Sequence, residues 1–315
     1  MVAVSIAGWG MWGGFLLFVL ALLALDLGVF HRKAHEVSLK EAGIWSVVWV
    51  VLAMSFGGGI YFFFGSQKAL EFATGYVIEK ALSVDNIFVF VVIFGYFSIP
   101  KKFQHRVLFW GILGALLMRG GFIIVGGALV AKFHWVMYLF GALLLATGVK
   151  MMFQKNEHLD PGKNPVMKIF QRFVPTTPNL SEDRFFVGRG ATLKATPLFV
   201  ALLALEMTDL IFAVDSIPAI FAITQDSFIV FTSNMFAILG LRSLYFLLAG
   251  IVDRFVYLKT GLALVLVFIG SKMLVAGFFK ISTGGSLAVI TVLIGGSVVL
   301  SLLKTRSVPS IDFSR

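Results

Sequence analysis

Residues 290–303 read Ile-Thr-Val-Leu-Ile-Gly-Gly-Ser-Val-Val-Leu-Ser-Leu-Leu, a run without a charged side chain. Leu262 to Ser271 and Val89 to Phe97 are of the same kind, each extended by neighbouring Gly, Ala and Thr. One such block could be a helix buried in a large soluble protein. Nine of them, separated by short polar turns and with no large polar domain to shelter beneath, belong to a chain that lives in lipid. The composition agrees. Of 315 residues, 59% are hydrophobic and 13% charged, and the mean hydropathy is +0.95. Soluble domains carry about 25% charged residues. The expected fold is all-α, a polytopic membrane protein of about nine transmembrane helices.

A span takes about 20 residues at 1.5 Å each. The apolar blocks place spans at 11–30, 43–64, 74–97, 107–131, 133–153, 196–223, 229–250, 258–279 and 286–303. Lys and Arg then orient them. With the N-terminus outside, the first cytoplasmic loop carries Arg32, Lys33 and Lys40, the next Lys101, Lys102 and Arg106. The long loop carries Lys155, Lys163, Lys168, Arg172, Arg184, Arg189 and Lys194; Arg254, Lys259, Lys304, Arg306 and Arg315 follow. These are 18 basic residues, against Lys68, Lys132 and Lys280 on the other side. The positive-inside bias therefore predicts the N-terminus outside and the C-terminus in the cytoplasm. It also accounts for the net charge of +10, with anionic lipid as the partner of the basic side. Basicity of this kind does not indicate nucleic-acid binding, because no basic patch is interleaved with aromatics outside the spans.

The first apolar segment lacks a preceding basic residue and a convincing small-residue cleavage site, so it reads as a retained helix. The sequence contains no cysteine, which removes disulfides, thiol catalysis and cysteine-held metals. The loop at 154–195 holds Pro161, Pro165, Pro175 and Pro178 and reads as a connector, with Met167 to Phe173 spaced for a short interfacial helix. The five histidines, at 31, 35, 105, 134 and 158, fall near span ends or in loops. No His-Glu-x-x-His, phosphate-binding glycine loop or nucleophile elbow is present. No enzyme activity and no bound organic cofactor are expected.

Charges inside the spans carry the functional signal. Asp26, Glu79, Asp85, Glu206, Asp209 and Asp215 are acidic; Lys80, Arg119, Arg242 and Lys272 are basic. Each such group at the bilayer centre costs about 2.5–3.5 kcal/mol on insertion scales, and persists where it faces the bundle interior and meets a partner or an ion. At about 100° per residue, Glu79, Ser83 and Asn86 share one face of the third span, with Asp85 adjacent. In the sixth span Asp209 and Ser216 share a face, and Glu206 stands near Asp209. Pro218 cannot donate to the Val214 carbonyl, so a local break that frees backbone oxygens beside Asp215 is expected. Oxygen-only ligands suit hard cations, Mg²⁺, Mn²⁺ or Ca²⁺. The same residues also fit a proton relay, or internal salt bridges to Lys80, Arg119 and Arg242.

The two acidic segments align. Glu79 matches Asp209, and residues 83–87 match 213–217. Ile112-Leu113-Gly114 before Arg119 matches Ile238-Leu239-Gly240 before Arg242, and Gly148-Val149-Lys150-Met151 matches Gly270-Ser271-Lys272-Met273. Spans three to five thus repeat as six to eight. Three is odd, so the second copy runs the other way through the bilayer, an architecture of secondary transporters with the ion site at the repeat interface. The organisation expected is a two-helix N-terminal segment (1–66), a first repeat (67–153), the cytoplasmic loop (154–195), a second repeat (196–280), and a last helix with a tail (281–315).

Gly75 to Asn86, Phe212 to Phe221, and Thr232-Ser233-Asn234 continuing through Ala237 to Phe246 resemble the TerC/Alx family of integral membrane proteins, over roughly residues 10 to 305. The resemblance implies a bacterial inner-membrane protein with a lysine-exporter-like inverted repeat, linked to manganese export, to tellurite resistance and to a redox-modulating role. It carries the choice of manganese, which ligand type alone does not separate from calcium or magnesium. The resulting expectation is an efflux carrier. Asp85 and Asp215 would be primary ligands, with Asn86 and Ser216 adding neutral oxygens. Glu79, Glu206 and Asp209 would complete the site or exchange protons, since carboxylates sharing a site favour holding a proton between them. Asp26, Arg119, Arg242, Lys80 and Lys272 would support it. A membrane scaffold or redox-related accessory factor is the alternative.

Overall fold

The structure, a computed structural model, describes residues 5–25, 37–133, 135–153, 177, 184–188, 193–249, 255–279 and 281–306. Asp26, the Met167 to Phe173 stretch and the side chain of Asp85 lie outside the described residues. Nine helices run through the described chain: α1 (Trp9–Leu25), α2 (Leu39–Tyr96), α3 (Lys101–Lys132), α4 (Trp135–Phe153), α5 (Pro197–Phe221), α6 (Ser227–Leu239), α7 (Leu241–Leu248), α8 (Leu258–Leu274) and α9 (Thr283–Arg306). A two-stranded antiparallel ladder, β1 (Phe186–Val187) with β2 (Lys194–Ala195), is the one strand pairing among the described residues. The protein is thus an all-α polytopic membrane protein. Helices α2, α3, α4, α5 and α9 are long and apolar enough to cross a membrane, and α6 with α7, bent by 41°, is so as a pair, in the manner of a broken span or a re-entrant loop. Outward-facing Leu17, Leu117 and Val292 are strongly exposed, as lipid-facing side chains would be.

Helix α2 holds 58 residues and would measure about 87 Å if straight, against a hydrocarbon core of about 30 Å. It is not straight. Gly65 has φ 86 and ψ 173 inside it, and the chain reverses there. The rings of Phe56 and Phe72 lie 5.4 Å apart, and a Cβ on Gly57 would sit 3.2 Å from Phe72. Farther from the turn, Trp49 and Lys80 meet at Gly240. The halves 39–64 and 66–96 therefore form a hairpin closed by a single residue. With this fold-back, and with α6–α7 as one broken span, the helices follow the nine expected spans in order.

Helix α1 packs on the hairpin and on α6 through aromatic side chains. Phe15 of α1 packs on Phe56, Phe228, Phe231 and Phe236 at 5.4 to 5.9 Å between centroids. Such pairs add about 0.5–1.5 kcal/mol each beyond their burial. One end of the bundle is gathered by polar contacts. The Ile6 amide donates to Asp226 Oδ2 (3.0 Å), Lys68 lies 3.6 Å from the same carboxylate, and Gln67 Nε2 donates to Thr283 Oγ1 (3.1 Å). The Gly65 turn, the α5–α6 connection, the start of α9 and the N-terminal segment thus share one end, as alternating spans require.

Helices 66–96, α3 and α4 pack mainly against α5, α6 and α8 rather than against one another. The α4–α8 contact is self-complementary. A Cβ on Gly141 would lie 3.1 Å from the Gly270 carbonyl, and one on Gly148 would lie 2.8 Å from the Ala263 carbonyl. Gly148 aligns with Gly270, and the same shift carries Gly141 onto Ala263. Each contact is therefore the other with the copies exchanged, which is what a pseudo-two-fold axis produces. Backbones approach this closely because these positions carry little or no side chain.

Pro218 does not break its helix. α5 runs through it, and the Pro218 carbonyl accepts the Ala222 amide at 3.0 Å. The missing amide removes one hydrogen bond, and the flanking turns hold the axis. The interruption falls at Gly240 instead, where α6 ends and α7 begins.

At Gly65 nothing crowds a Cβ, so the requirement is conformational. Gly65→Ala is expected to lose about 1–3 kcal/mol of stability, seen as a lower midpoint of thermal unfolding in detergent, while Gly58→Ala in the open face of the same helix leaves it in place.

Candidate ion-paired centre at the repeat interface

Glu79 lies on the 66–96 limb of α2, Arg119 in the middle of α3, Asp209 and Ser216 on one face of α5, and Asn234 on α6. All are buried. Arg119 Nε donates to Asp209 Oδ2 at 3.0 Å and Nη2 to Oδ1 at 2.7 Å, a two-pronged pair. Nη1 is ion-paired with Glu79 and also reaches Ser216 Oγ and Asn234 Oδ1, each at 3.3 Å. Asn234 Nδ2 closes the ring by donating to Glu79 Oε2 (3.0 Å), and Asn86 Nδ2 reaches Asp209 Oδ1 (3.4 Å). One guanidinium thus holds the aligned acids of both repeats.

Of the other described residues singled out in the sequence, some stand beside this core and some apart from it. Glu206 lies one turn before Asp209, against Gly114 of α3, where a Cβ would overlap its carboxylate. Asp209 and Arg242 line a cavity of about 20 Å³ beside Gly111, Phe90 and Leu205. Asp215 accepts from Thr147 Oγ1 of α4 at 3.1 Å. It does not join Asp209: six residues at about 100° turn it to another side of α5, whereas Ser216 returns to the same one. Lys80 donates to the Ala237 carbonyl (3.2 Å) and Lys272 to Ser286 Oγ (2.8 Å). Among the described residues no three His, Cys, Asp or Glu side chains stand close enough to hold a metal between them. Ser83 Oγ, Asn86 Oδ1 and Glu206 Oε2 are buried without a hydrogen-bond partner among the described residues. Buried oxygens in this state are rare and call for a proton, water or cation.

Two groups of polar side chains were not singled out by sequence. Asn234 bridges Glu79 and Arg119, and its only signal is the Thr232-Ser233-Asn234 triplet inside an apolar helix. At the bundle end, Glu71 accepts from Lys68 Nζ (2.8 Å) and Thr224 Oγ1 (2.6 Å), and Asp226 caps α6 through the Phe228 amide (3.1 Å). Both acids sit at span ends, where charge is ordinary.

A polytopic helical bundle with ion pairs buried at the interface of two inverted units is the class that fold and site define. The chain belongs to the TerC family: the sequence profile of the "Integral membrane protein TerC family" matches residues 64–308. It is 54% identical over 308 residues to an "Uncharacterized membrane protein STKORF319" of Myxococcus xanthus, covering 98% of this chain and 97% of that one. It is 46% identical over 289 residues to the Escherichia coli K12 protein named "Putative membrane-bound redox modulator Alx", covering 89% and 90%. A Rickettsia bellii membrane protein is 44% identical over 297 residues, covering 94% and 98%. No solved structure matches the chain.

Removing the guanidinium leaves two carboxylates facing each other in a dry core. Arg119→Ala is expected to cost about 3–5 kcal/mol, and the triple change Arg119→Met with Glu79→Gln and Asp209→Asn to recover most of it. Unfolding midpoints of the purified proteins in detergent check both.

Proposed function

We propose that the protein exports divalent metal cations, manganese first among them, from the cytoplasm by alternating access with proton exchange. The observation that carries this reading is the set of buried, donor-less oxygens of Ser83, Asn86 and Glu206 beside a carboxylate pair at the repeat interface. Their chemistry is all oxygen, which suits a hard cation. Arg119 holds Glu79 and Asp209 in place of an ion. Cargo binding would transfer these carboxylates from the guanidinium to the metal, with Asn86, Asn234 and Ser216 supplying neutral oxygens. Asp85 and Asp215, equivalent by the repeat, would be the ligands nearest the path, and Thr147 holds Asp215 until the ion arrives. The reading places the basic loops and the C-terminus in the cytoplasm of a bacterial inner membrane, where anionic lipid receives them. No enzymatic step and no cofactor enter it. Protons are the exchanged partner because carboxylates released by the ion are the groups to receive them.

A second reading has its own support. The centre is packed around its ion pairs, with a cavity of about 20 Å³ beside Asp209, and several relatives carry a redox-modulator name. An accessory protein that binds metal without moving it would look the same at rest. The sequence holds no cysteine, so such a role would act through the bound ion or another protein.

Proteoliposome flux separates the two. Wild type is expected to move Mn²⁺ faster under an imposed pH gradient, and Asp85→Asn and Asp215→Asn to lose transport while remaining folded. Folded wild type that moves neither Mn²⁺, Ca²⁺ nor Mg²⁺ under any gradient sinks the exporter and leaves the accessory role.

A further inference from the structure

The repeat is symmetric in sequence at Gly114 and Gly240, yet the two positions behave differently. Around Gly114, α3 runs unbroken, and the side chain pressed on the glycine is the acid Glu206 from the other repeat. Around Gly240 the span breaks by 41°, and the side chain pressed on the glycine is the base Lys80, again from the other repeat. A Cβ on Gly240 would lie 2.7 Å from Lys80 Nζ and 3.1 Å from Trp49 Cβ. A break in a helix strips its last carbonyls of donors and leaves the negative end of the helix dipole bare. Lys80 Nζ answers both needs by donating to the Ala237 carbonyl at 3.2 Å. The acid at Gly114 has no such carbonyl to serve, because the hydrogen-bond ladder of α3 is intact.

Lys80 is also chained to the centre. Its neighbour Glu79 pairs with Arg119 and accepts from Asn234, and Asn234 lies three residues before Ala237 on α6. The dipeptide Glu79-Lys80 therefore grips the last turns of α6 at two points, one at the ion-paired ring and one at the break. Glu79 and Lys80 share one helical turn, so a shift of either carries the other.

The geometry points to Lys80 as a positioning residue: a tethered cation that holds the α6–α7 break bent and links its angle to the occupancy of Glu79. It touches no cargo. Its role in transport rests on the exporter reading; its role at the hinge does not.

The sequence contains no cysteine, so spin labels can be placed at Gln225→Cys and Leu248→Cys, on either side of the break, without background. Wild type in detergent is expected to give one narrow distance. Lys80→Met should lengthen or broaden it, Lys80→Arg should restore it, and Gly240→Ala, which crowds the ammonium from the other side, should reproduce the Met effect. In proteoliposomes, Lys80→Met should slow Mn²⁺ flux and shift Mn²⁺ affinity, the latter by roughly 5- to 150-fold as the loss of a coupling between two sites does, and Lys80→Arg should recover both. An unchanged label distance in both Lys80→Met and Gly240→Ala overturns the inference, as does a change in Lys80→Met that Lys80→Arg fails to reverse. If wild type moves no divalent cation, the exporter reading falls, and the label distances still decide whether Lys80 holds the hinge.

Discussion

A guanidinium buried in the middle of a membrane bundle has to be surrounded by acceptors before anything else can be arranged. Arg119 meets this demand with the carboxylates of Glu79 and Asp209 and the oxygens of Ser216 and Asn234. These come from α2, α5 and α6, so the pair fixes which helices cross at the centre and at what height. Coulomb attraction at low dielectric is strong, but desolvation of each ion costs several kcal/mol, so such a ring is weak evidence for stability and better evidence for specificity. It makes one arrangement of the two repeats acceptable and leaves a bare charge in others.

The spans were legible in the sequence because lipid imposes a long, contiguous apolar run on each of them. Their ends were blurrier, and the reason is visible at Gly65. An apolar stretch interrupted by Gly-Ser-Gln-Lys signals a loop, yet helical hydrogen bonding continues to within a residue of the turn on each side. One glycine with positive φ does what a loop was expected to do. Pro218 is the reverse case: a residue that breaks helices in water sits inside one here because α5 is held on both flanks by neighbouring helices.

At the centre, the sequence located the ionisable residues but not their pairings. Glu79 and Asp209 are recognisable by their position in the repeat, and Ser216 by helical period. That Arg119 rather than Lys80 would join the acids is a tertiary fact, set by where α3 crosses. The same period that puts Ser216 beside Asp209 turns Asp215 toward Thr147, so the carboxylates adjacent in sequence are not gathered into one cluster. Asn234 carries no charge to draw attention, and only the crossing of α6 over residue 79 reveals it.

The self-complementary approach of α4 and α8 has a historical meaning. Two identical three-helix chains, one inserted each way up, would have met through such small-residue pairs related by a rotation axis lying in the plane of the bilayer. Such a pair requires a monomer with no strong preference for orientation. A chain with the bias read from the sequence, 18 basic residues expected on one side of the spans against 3 on the other, is no longer such a monomer. Duplication and fusion would have frozen one copy in each orientation, after which the loops were free to acquire a fixed polarity and the two halves to diverge in chemistry. The two-fold match is kept where side chains are smallest, at Gly141, Gly148, Ala263 and Gly270, where the two backbones touch.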